Sequence, residues 1–245
     1  VLLVTGGSRG IGAAIVRLAA AADQPVAFTY AHDAAAADAF VAELTASGGR
    51  VLAIRADVGV EDDIVRAFAE AESALGKIVA LVNNAGITGP IARVEAIDGA
   101  MLARLFAINV AGPMLCAREA VRRMSIRHGG EGGRIVNISS RAAQLGGAGE
   151  WVHYAATKGA IDAFTIGLAR EVATEGIRVN AVSPGLIETG IHAAAGDAGR
   201  LERLTPGIPM QRPGTADEVA RAVFWLLSDA ASYTTGAILD VSGGR

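Results

Sequence analysis

The stretch TGGSRGIG, Thr5 to Gly12, follows the apolar run Val1–Val4 and opens a segment of helical pattern. Glycines between a short strand and a helix free the backbone for a tight turn and let its N–H groups cradle a phosphate at the helix start. The spacing of Gly6, Gly10 and Gly12 is G-x-x-x-G-x-G and departs from the G-x-G-x-x-G of the common dinucleotide turn. A plain turn would explain two such glycines, less easily three.

Outward from this turn, short apolar runs alternate with longer amphipathic ones. Strands are expected at 1–4, 25–30, 51–56, 78–82, 134–138, 177–182 and 237–241, each rich in Val, Ile or Leu on successive residues. That pattern suits parallel strands buried on both faces. Helices are expected at 10–22, 34–47, 61–75, 99–127, 154–175 and 215–228. Asp33 reads as an N-cap, and Thr215 with Glu218 as a capping box. This alternation predicts α/β architecture: a doubly wound, Rossmann-type sheet of about seven parallel strands with helices on both faces. No linker divides the 245 residues, so one domain over 1–245 is expected. Gly190 to Gly214 breaks the rhythm with prolines and glycines after a strand, the usual place of a substrate lid.

The net charge of −3 has no long run of one sign and argues against nucleic acid or an anionic membrane as partner. A single cysteine, Cys116, excludes an intrachain disulfide framework and points to a reducing, cytoplasmic setting. No cluster of His, Asp or Glu suggests a metal. No apolar stretch is expected to reach a membrane span. The chain begins on Val1 without methionine, so a few natural residues are expected to precede it and the first strand to be clipped.

Further motifs decide the reading. NNAG spans Asn83–Gly86, NISS ends at Ser140, YAATK places Tyr154 and Lys158 four apart, and SPG occupies Ser183–Gly185. Together with TGGSRGIG, this ordered set resembles the short-chain dehydrogenase/reductase family in its compact single-domain branch, over essentially the whole chain. The glycine spacing is that family's own version of the nucleotide turn.

Tyr154 and Lys158, at i and i+4, share a helix face. A free tyrosine titrates near 10, and an ammonium beside it favours the phenolate, which equips the pair for general acid/base work. The resemblance implies that Ser140 orients the substrate carbonyl, with Ser139 as its competitor, since neighbouring strand residues face opposite ways. Asn109, in INVAGP, resembles the asparagine that completes a catalytic tetrad by holding a water on the lysine's route to solvent.

The resemblance also places the cofactor. Thr5, Gly6, Ser8, Arg9, Gly10, Ile11 and Gly12 form the phosphate and adenosine turn, and Asp57 with Val58 contacts adenine. Asn83, Ala85 and Gly86 line the ribose side, with Tyr154 and Lys158 beside the nicotinamide. Pro184, Gly185, Ile187 and Thr189 hold the carboxamide. The position that carries an acid in NAD enzymes of this fold is Tyr30 here. Arg9 can fork a 2′-phosphate, with His32 close by, so NADP(H) is favoured; Asp33 as ribose ligand would leave NAD(H) open.

The expected activity is interconversion of a secondary alcohol, or a sugar or polyol hydroxyl, with its carbonyl form on a small molecule. The alternative is a 3-oxoacyl-thioester reductase working on an acyl-carrier protein, for which Arg122, Arg123 and Arg127 are the candidate basic patch. A non-catalytic nucleotide sensor is disfavoured by the intact set Asn109, Ser140, Tyr154 and Lys158. A homotetramer is expected from the resemblance. Cys116, His128 and His153 read as structural, His192 as a lid residue near substrate, and Trp151 as either pocket wall or core.

Overall fold

The computed structural model describes residues 1–190, 197 and 199–245. Seven strands form one sheet in the order β3-β2-β1-β4-β5-β6-β7, every neighbouring pair parallel. They are β1 (Leu2–Val4), β2 (Val26–Tyr30), β3 (Val51–Arg55), β4 (Ala80–Asn83), β5 (Gly133–Ile138), β6 (Ile177–Pro184) and β7 (Ile238–Val241). The main helices are α1 (Gly10–Ala21), α2 (Ala34–Ala46), α3 (Glu61–Leu75), α4 (Gly99–Phe106), α5 (Gly112–Met124), α6 (Ala142–Leu145), α7 (Val152–Val172), α8 (Arg200–Leu204) and α9 (Ala216–Leu227).

Strand alternation divides the core in two. Leu2, Val4, Val26 and Phe28 pack with α1, α2 and α9 on one face of the sheet. Leu3, Ala27, Ile135 and Val179 pack with α3, α5 and α7 on the other. Both faces are covered, which is why the strands read as unbroken apolar runs. The chain order reverses between β1 and β4, so a crevice opens beyond their C-terminal ends. The glycine turn after β1 and the NNAG stretch after β4 both lie there.

Two caps form as expected. Asp33 accepts a hydrogen bond from the Ala36 N–H at 3.0 Å. Thr215 and Glu218 form a reciprocal capping box on α9. Other boundaries differ. The helix expected over 99–127 is two helices joined by a wide π-helical turn, Ala107–Ala111, and it stops at Met124 because Ser125 is extended. The helix expected from Tyr154 starts two residues earlier, at Val152. β6 continues to Pro184, where Ser183 and Pro184 pair with Asp240 and Val241.

The membrane expectation also needs correcting. Gly99–Met124 contains an 18-residue stretch of mean hydropathy 1.6, long and apolar enough to span a bilayer, since Arg104 is the run's sole charge before Arg118. In this fold the run buries Ile108, Cys116, Ala117, Ala120 and Met124 against the sheet layer.

Candidate active site

The glycine turn is built so that side chains are excluded. Gly6 and Gly10 adopt φ of +65° and +55°, a region that glycine enters without strain. A Cβ on Gly12 would stand 2.3 Å from the Gly6 carbonyl oxygen, and one on Gly7 would stand 2.4 Å from Phe28 Cβ. Arg9 takes the N-cap position of α1 in extended conformation without a side-chain cap, and the first turn holds no acidic residue. The helix therefore presents open N–H groups and the positive end of its dipole to the crevice. This backbone cradle fits the pyrophosphate of a dinucleotide.

Thr5 supports the turn from beneath. It is buried, and its hydroxyl oxygen accepts from the N–H groups of Asn84 and Ala85, each at 3.0 Å. Asn84, the second residue of NNAG, donates from its amide to the carbonyls of Thr5 and Gly6 at 2.9 Å each. It ties the end of β4 to the turn, a role that the motif's spacing signals without naming the residue. Asn83 departs from its expected place on the ribose side. Its side chain is buried and donates to the Pro113 carbonyl and to Asn137 Oδ1, at 3.1 and 2.9 Å. The two asparagines alternate in direction along the strand, so Asn83 sends no side chain to the crevice.

Ala85 and Gly86 remain at the crevice edge. Asp57 accepts from Gly59 N–H at 2.9 Å and pairs with Arg104; Val58 beside it is buried. Tyr30 closes β2, half-buried, and pairs in register with Arg55. Arg9 and His32 are exposed, while Asp33 is engaged as the α2 cap. On the far side, Thr189 Cγ2 would meet a Cβ on Gly10 at 3.5 Å, so the stretch after β6 folds back over the glycine turn. Pro184 ends β6, and a Cβ on Gly185 would collide with Ser242 at 2.8 Å. Ile187 is buried and bridges to Gly214, which closes the base of the 190–214 segment.

Asn109 sits in the π-helical turn, where an extra residue re-aims the side chain. It is buried, donates to the Ile87 carbonyl at 2.7 Å and to Thr157 Oγ1 at 3.1 Å, and accepts from Ile87 N–H at 2.9 Å. A methyl group built on Gly86 would lie 3.4 Å from Asn109 Oδ1 and 3.7 Å from Lys158 Nζ. The glycine thus keeps an open gap beside both groups.

Tyr154 and Lys158 rise from α7 one turn apart, with the ammonium 5.7 Å from the phenol ring centroid. Burial raises the Tyr154 hydroxyl to about 12, and a hydrogen bond with Ser140 pulls against that rise. Burial lowers Lys158 to about 8, and the charge of Asp162 works in the opposite direction. Lys158 Nζ donates to the Ile138 carbonyl at 2.7 Å. Ser140 is partly exposed and faces Tyr154, whereas Ser139 is buried and turned to Asp162. Trp151 stands edge-on to Tyr154 at 6.4 Å between centroids. Arg200 of α8 stacks on the Trp151 ring at 4.3 Å and pairs with Glu150. Part of the 190–214 segment is thereby joined to the loop before Tyr154. His192 lies outside the described residues. Burial raises the Cys116 thiol to about 12, which leaves it inert.

A family model described as "Enoyl-(Acyl carrier protein) reductase" matches residues 6–245. The chain is 48% identical over 245 residues to an uncharacterized oxidoreductase, YgfF, of Escherichia coli (strain K12), covering 100% of this chain and 99% of that protein. A short-chain dehydrogenase/reductase structure from Serratia marcescens superposes with TM-score 0.91 at 37% identity, covering 99% of this chain and 96% of that one. A blue fluorescent protein from a metagenomic library, solved in complex with NADPH, does so with TM-score 0.91 at 38% identity and the same coverage.

Proposed function

The chain belongs to the short-chain dehydrogenase/reductase family and is an NAD(P)-dependent oxidoreductase; from that premise we propose that it uses NADP(H) to interconvert a secondary alcohol, or a sugar or polyol hydroxyl, with its carbonyl form. The observation that carries this reading is the chain of contacts in which Ser140 faces Tyr154, Tyr154 stands beside Lys158, and Lys158 and Asn109 both approach Gly86 next to the glycine turn.

The glycine turn and the α1 N-terminus would hold the pyrophosphate, Arg9 and His32 would meet the 2′-phosphate, and Pro184 to Thr189 would hold the carboxamide end. When bound, the nicotinamide supplies or accepts the hydride at the substrate carbon. Ser140 donates to the substrate oxygen and sets its angle to Tyr154. At neutral pH the phenol, raised to about 12, is protonated, and the ammonium, lowered to about 8, is still charged. That is the proton inventory that carbonyl reduction needs: Tyr154 gives its proton to the substrate oxygen and Lys158 stabilises the phenolate left behind. In oxidation the phenolate takes the proton. Lys158 Nζ and Asn109 Oδ1 both border the gap at Gly86, 3.7 and 3.4 Å from where a methyl would sit, so a water there would return protons from solvent. The described part of the 190–214 segment, joined through Arg200 to the loop before Tyr154, is the candidate substrate lid within a single catalytic domain; residues 191–196 and 198 of it lie outside the described residues.

The 3-oxoacyl-thioester alternative is kept in view by a relative described as a 3-oxoacyl-[acyl-carrier-protein] reductase, of Synechocystis sp. (strain ATCC 27184 / PCC 6803 / Kazusa), 37% identical over 247 residues. The arginines that would greet an acidic carrier are paired within the chain, Arg122 with Glu119, Arg123 with Glu72 and Glu119, and Arg127 with Glu175, yet Arg122 and Arg127 stay largely in solvent. A cytoplasmic homotetramer is the proposed assembly. Phe106 and Met114 on the long helical run, and Trp225 on α9, are large apolar side chains left partly in solvent on the elements it would use.

The test is a parallel fluorescence titration with NADPH and NADH, followed by a carbonyl screen with wild type and Tyr154→Phe. NADPH bound at least tenfold tighter, about 1.4 kcal/mol, and a loss of roughly 100- to 10,000-fold in turnover are expected. Full turnover by Tyr154→Phe would sink the mechanism. Tighter NADH would transfer the ribose to Asp33.

A further inference from the structure

One face of α7 grips the end of β5 at three successive turns. Tyr154 meets the hydroxyl of Ser140, Lys158 meets the carbonyl of Ile138, and Asp162 meets the hydroxyl of Ser139. The helix residues stand at i, i+4 and i+8, and their partners are Ile138, the last residue of β5, and the two serines that follow it. Asp162 belongs to none of the sequence motifs, yet its carboxylate has both oxygens engaged. Ser139 Oγ donates to Oδ1 at 2.5 Å, and Gln144 Nε2 donates to Oδ2 at 3.0 Å. An amide N–H can only donate, so Gln144 meets an acceptor oxygen; burial raises the Asp162 carboxyl, while the hydrogen bonds from Ser139 and Gln144 and the charge of Lys158 favour its ionised form.

The consequence for the strand is directional. Ser139 and Ser140 lie just past the end of β5, and both meet α7. With its hydroxyl held by Asp162, Ser139 is taken out of reach of Tyr154, which leaves Ser140 as the serine facing the phenol. The consequence for the lysine is electrostatic: Asp162 and Lys158 are one turn apart on one face and attract each other. The other charged groups nearby are Asp240, which acts on Asp162 from β7, and Arg141, which is paired with Asp240 at 2.8 Å and donates to the Arg245 carbonyl at 2.7 Å.

We propose that Asp162 is a positioning residue of this site: it takes the hydroxyl of Ser139, so that Ser140 alone faces Tyr154, and it places a fixed negative charge one turn from Lys158. The proposal rests on the reading that Tyr154 and Lys158 carry the proton transfer.

The decisive readout needs no substrate. Lys77 and Lys158 are the chain's two lysines, so full-length protein labelled with carbon-13 at the lysine ε-carbon shows two titrating signals by NMR. Lys77→Arg assigns them, and exposed Lys77 serves as the internal reference in the other samples. In Asp162→Asn the Lys158 signal titrates at lower pH than in wild type, because the opposite charge is gone. In Ser139→Ala it stays in place, and in Asp162→Glu it returns toward wild type.

With NADPH and ethyl acetoacetate as carbonyl probe, Asp162→Asn and Ser139→Ala lower kcat/KM by up to roughly 100-fold, the scale of a misplaced reacting group. NADPH affinity, read by fluorescence, holds in both variants and certifies that they fold. An unmoved Lys158 titration in Asp162→Asn overturns the electrostatic half, and wild-type kcat/KM in Ser139→Ala overturns the positional half. Failure of the underlying mechanism has a different signature, namely full turnover by Tyr154→Phe whatever Asp162 does.

Discussion

Lys158→Met is expected to abolish turnover and to make the protein more stable at neutral pH. The side chain is buried, and its ammonium is lowered from the ordinary 10.5 to about 8. In the unfolded chain it titrates near the ordinary value. Between about 8 and 10.5 the unfolded state binds more protons than the folded state, so wild-type stability rises with pH across that window. Below pH 8 the full penalty is present. A shift of this size corresponds to about 3 kcal/mol at 1.36 kcal/mol per unit. Methionine fills similar volume without the charge, but gives up the hydrogen bond to the Ile138 carbonyl, worth about 1 kcal/mol. The variant should therefore be more stable by about 2 kcal/mol at pH 7. Above pH 10.5 the lysine is neutral in both states, and only the lost hydrogen bond remains. The variant should then be less stable by about 1 kcal/mol. Urea unfolding of both proteins at pH 7 and above pH 10.5, at one fixed protein concentration, measures the difference. A variant that is less stable at pH 7, or a difference that does not change with pH, would refute the reasoning. The expected result is a stability cost retained at a site whose chemistry needs the charge.

Arg9→Glu should weaken NADPH binding at least tenfold relative to NADH in paired titrations, because it replaces the exposed cation at the turn with a group that repels a 2′-phosphate. Gly12→Ala should abolish binding of both nucleotides and cost roughly 1–3 kcal/mol of stability, since its Cβ would stand 2.3 Å from the Gly6 carbonyl; normal binding would show that the turn yields. Asp33→Ala should cost about 1 kcal/mol in urea unfolding through loss of the α2 cap, with nucleotide preference unchanged; a switch in preference would make Asp33 a ribose ligand. Cys116 should resist thiol reagents in the folded protein and react once unfolded, as a buried thiol raised to about 12 requires.

Much of this was legible in the chain. Unbroken Val, Ile and Leu runs announced strands covered on both faces, and the structure places Leu3 and Val4 in different cores for that reason. Asp33 and Thr215 announced their caps, because a cap is a contact between residues three apart. The motifs singled out Tyr154, Lys158 and Ser140 by spacing and order, and the structure brings the three side by side. The wide turn at Ala107–Ala111 left no such trace, because apolar periodicity barely distinguishes one extra residue per turn. The stop at Met124 was equally hidden, since it depends on where Ser125 meets its neighbours.

Local chemistry thus determined the elements, their order, the glycine turn and the residues able to exchange protons. Tertiary structure decided which way each polar side chain faces. Asn83 and Asn84 are neighbours with the same side chain, yet one is buried against Asn137 and the other staples the glycine turn. Ser139 and Ser140 are neighbours too, and only contact with α7, brought up from later in the chain, sends one to Asp162 and the other to Tyr154. Asp162 itself became visible through that contact. Sequence records which groups a residue carries, whereas partners distant in the chain decide where those groups point and how strongly burial shifts their protons.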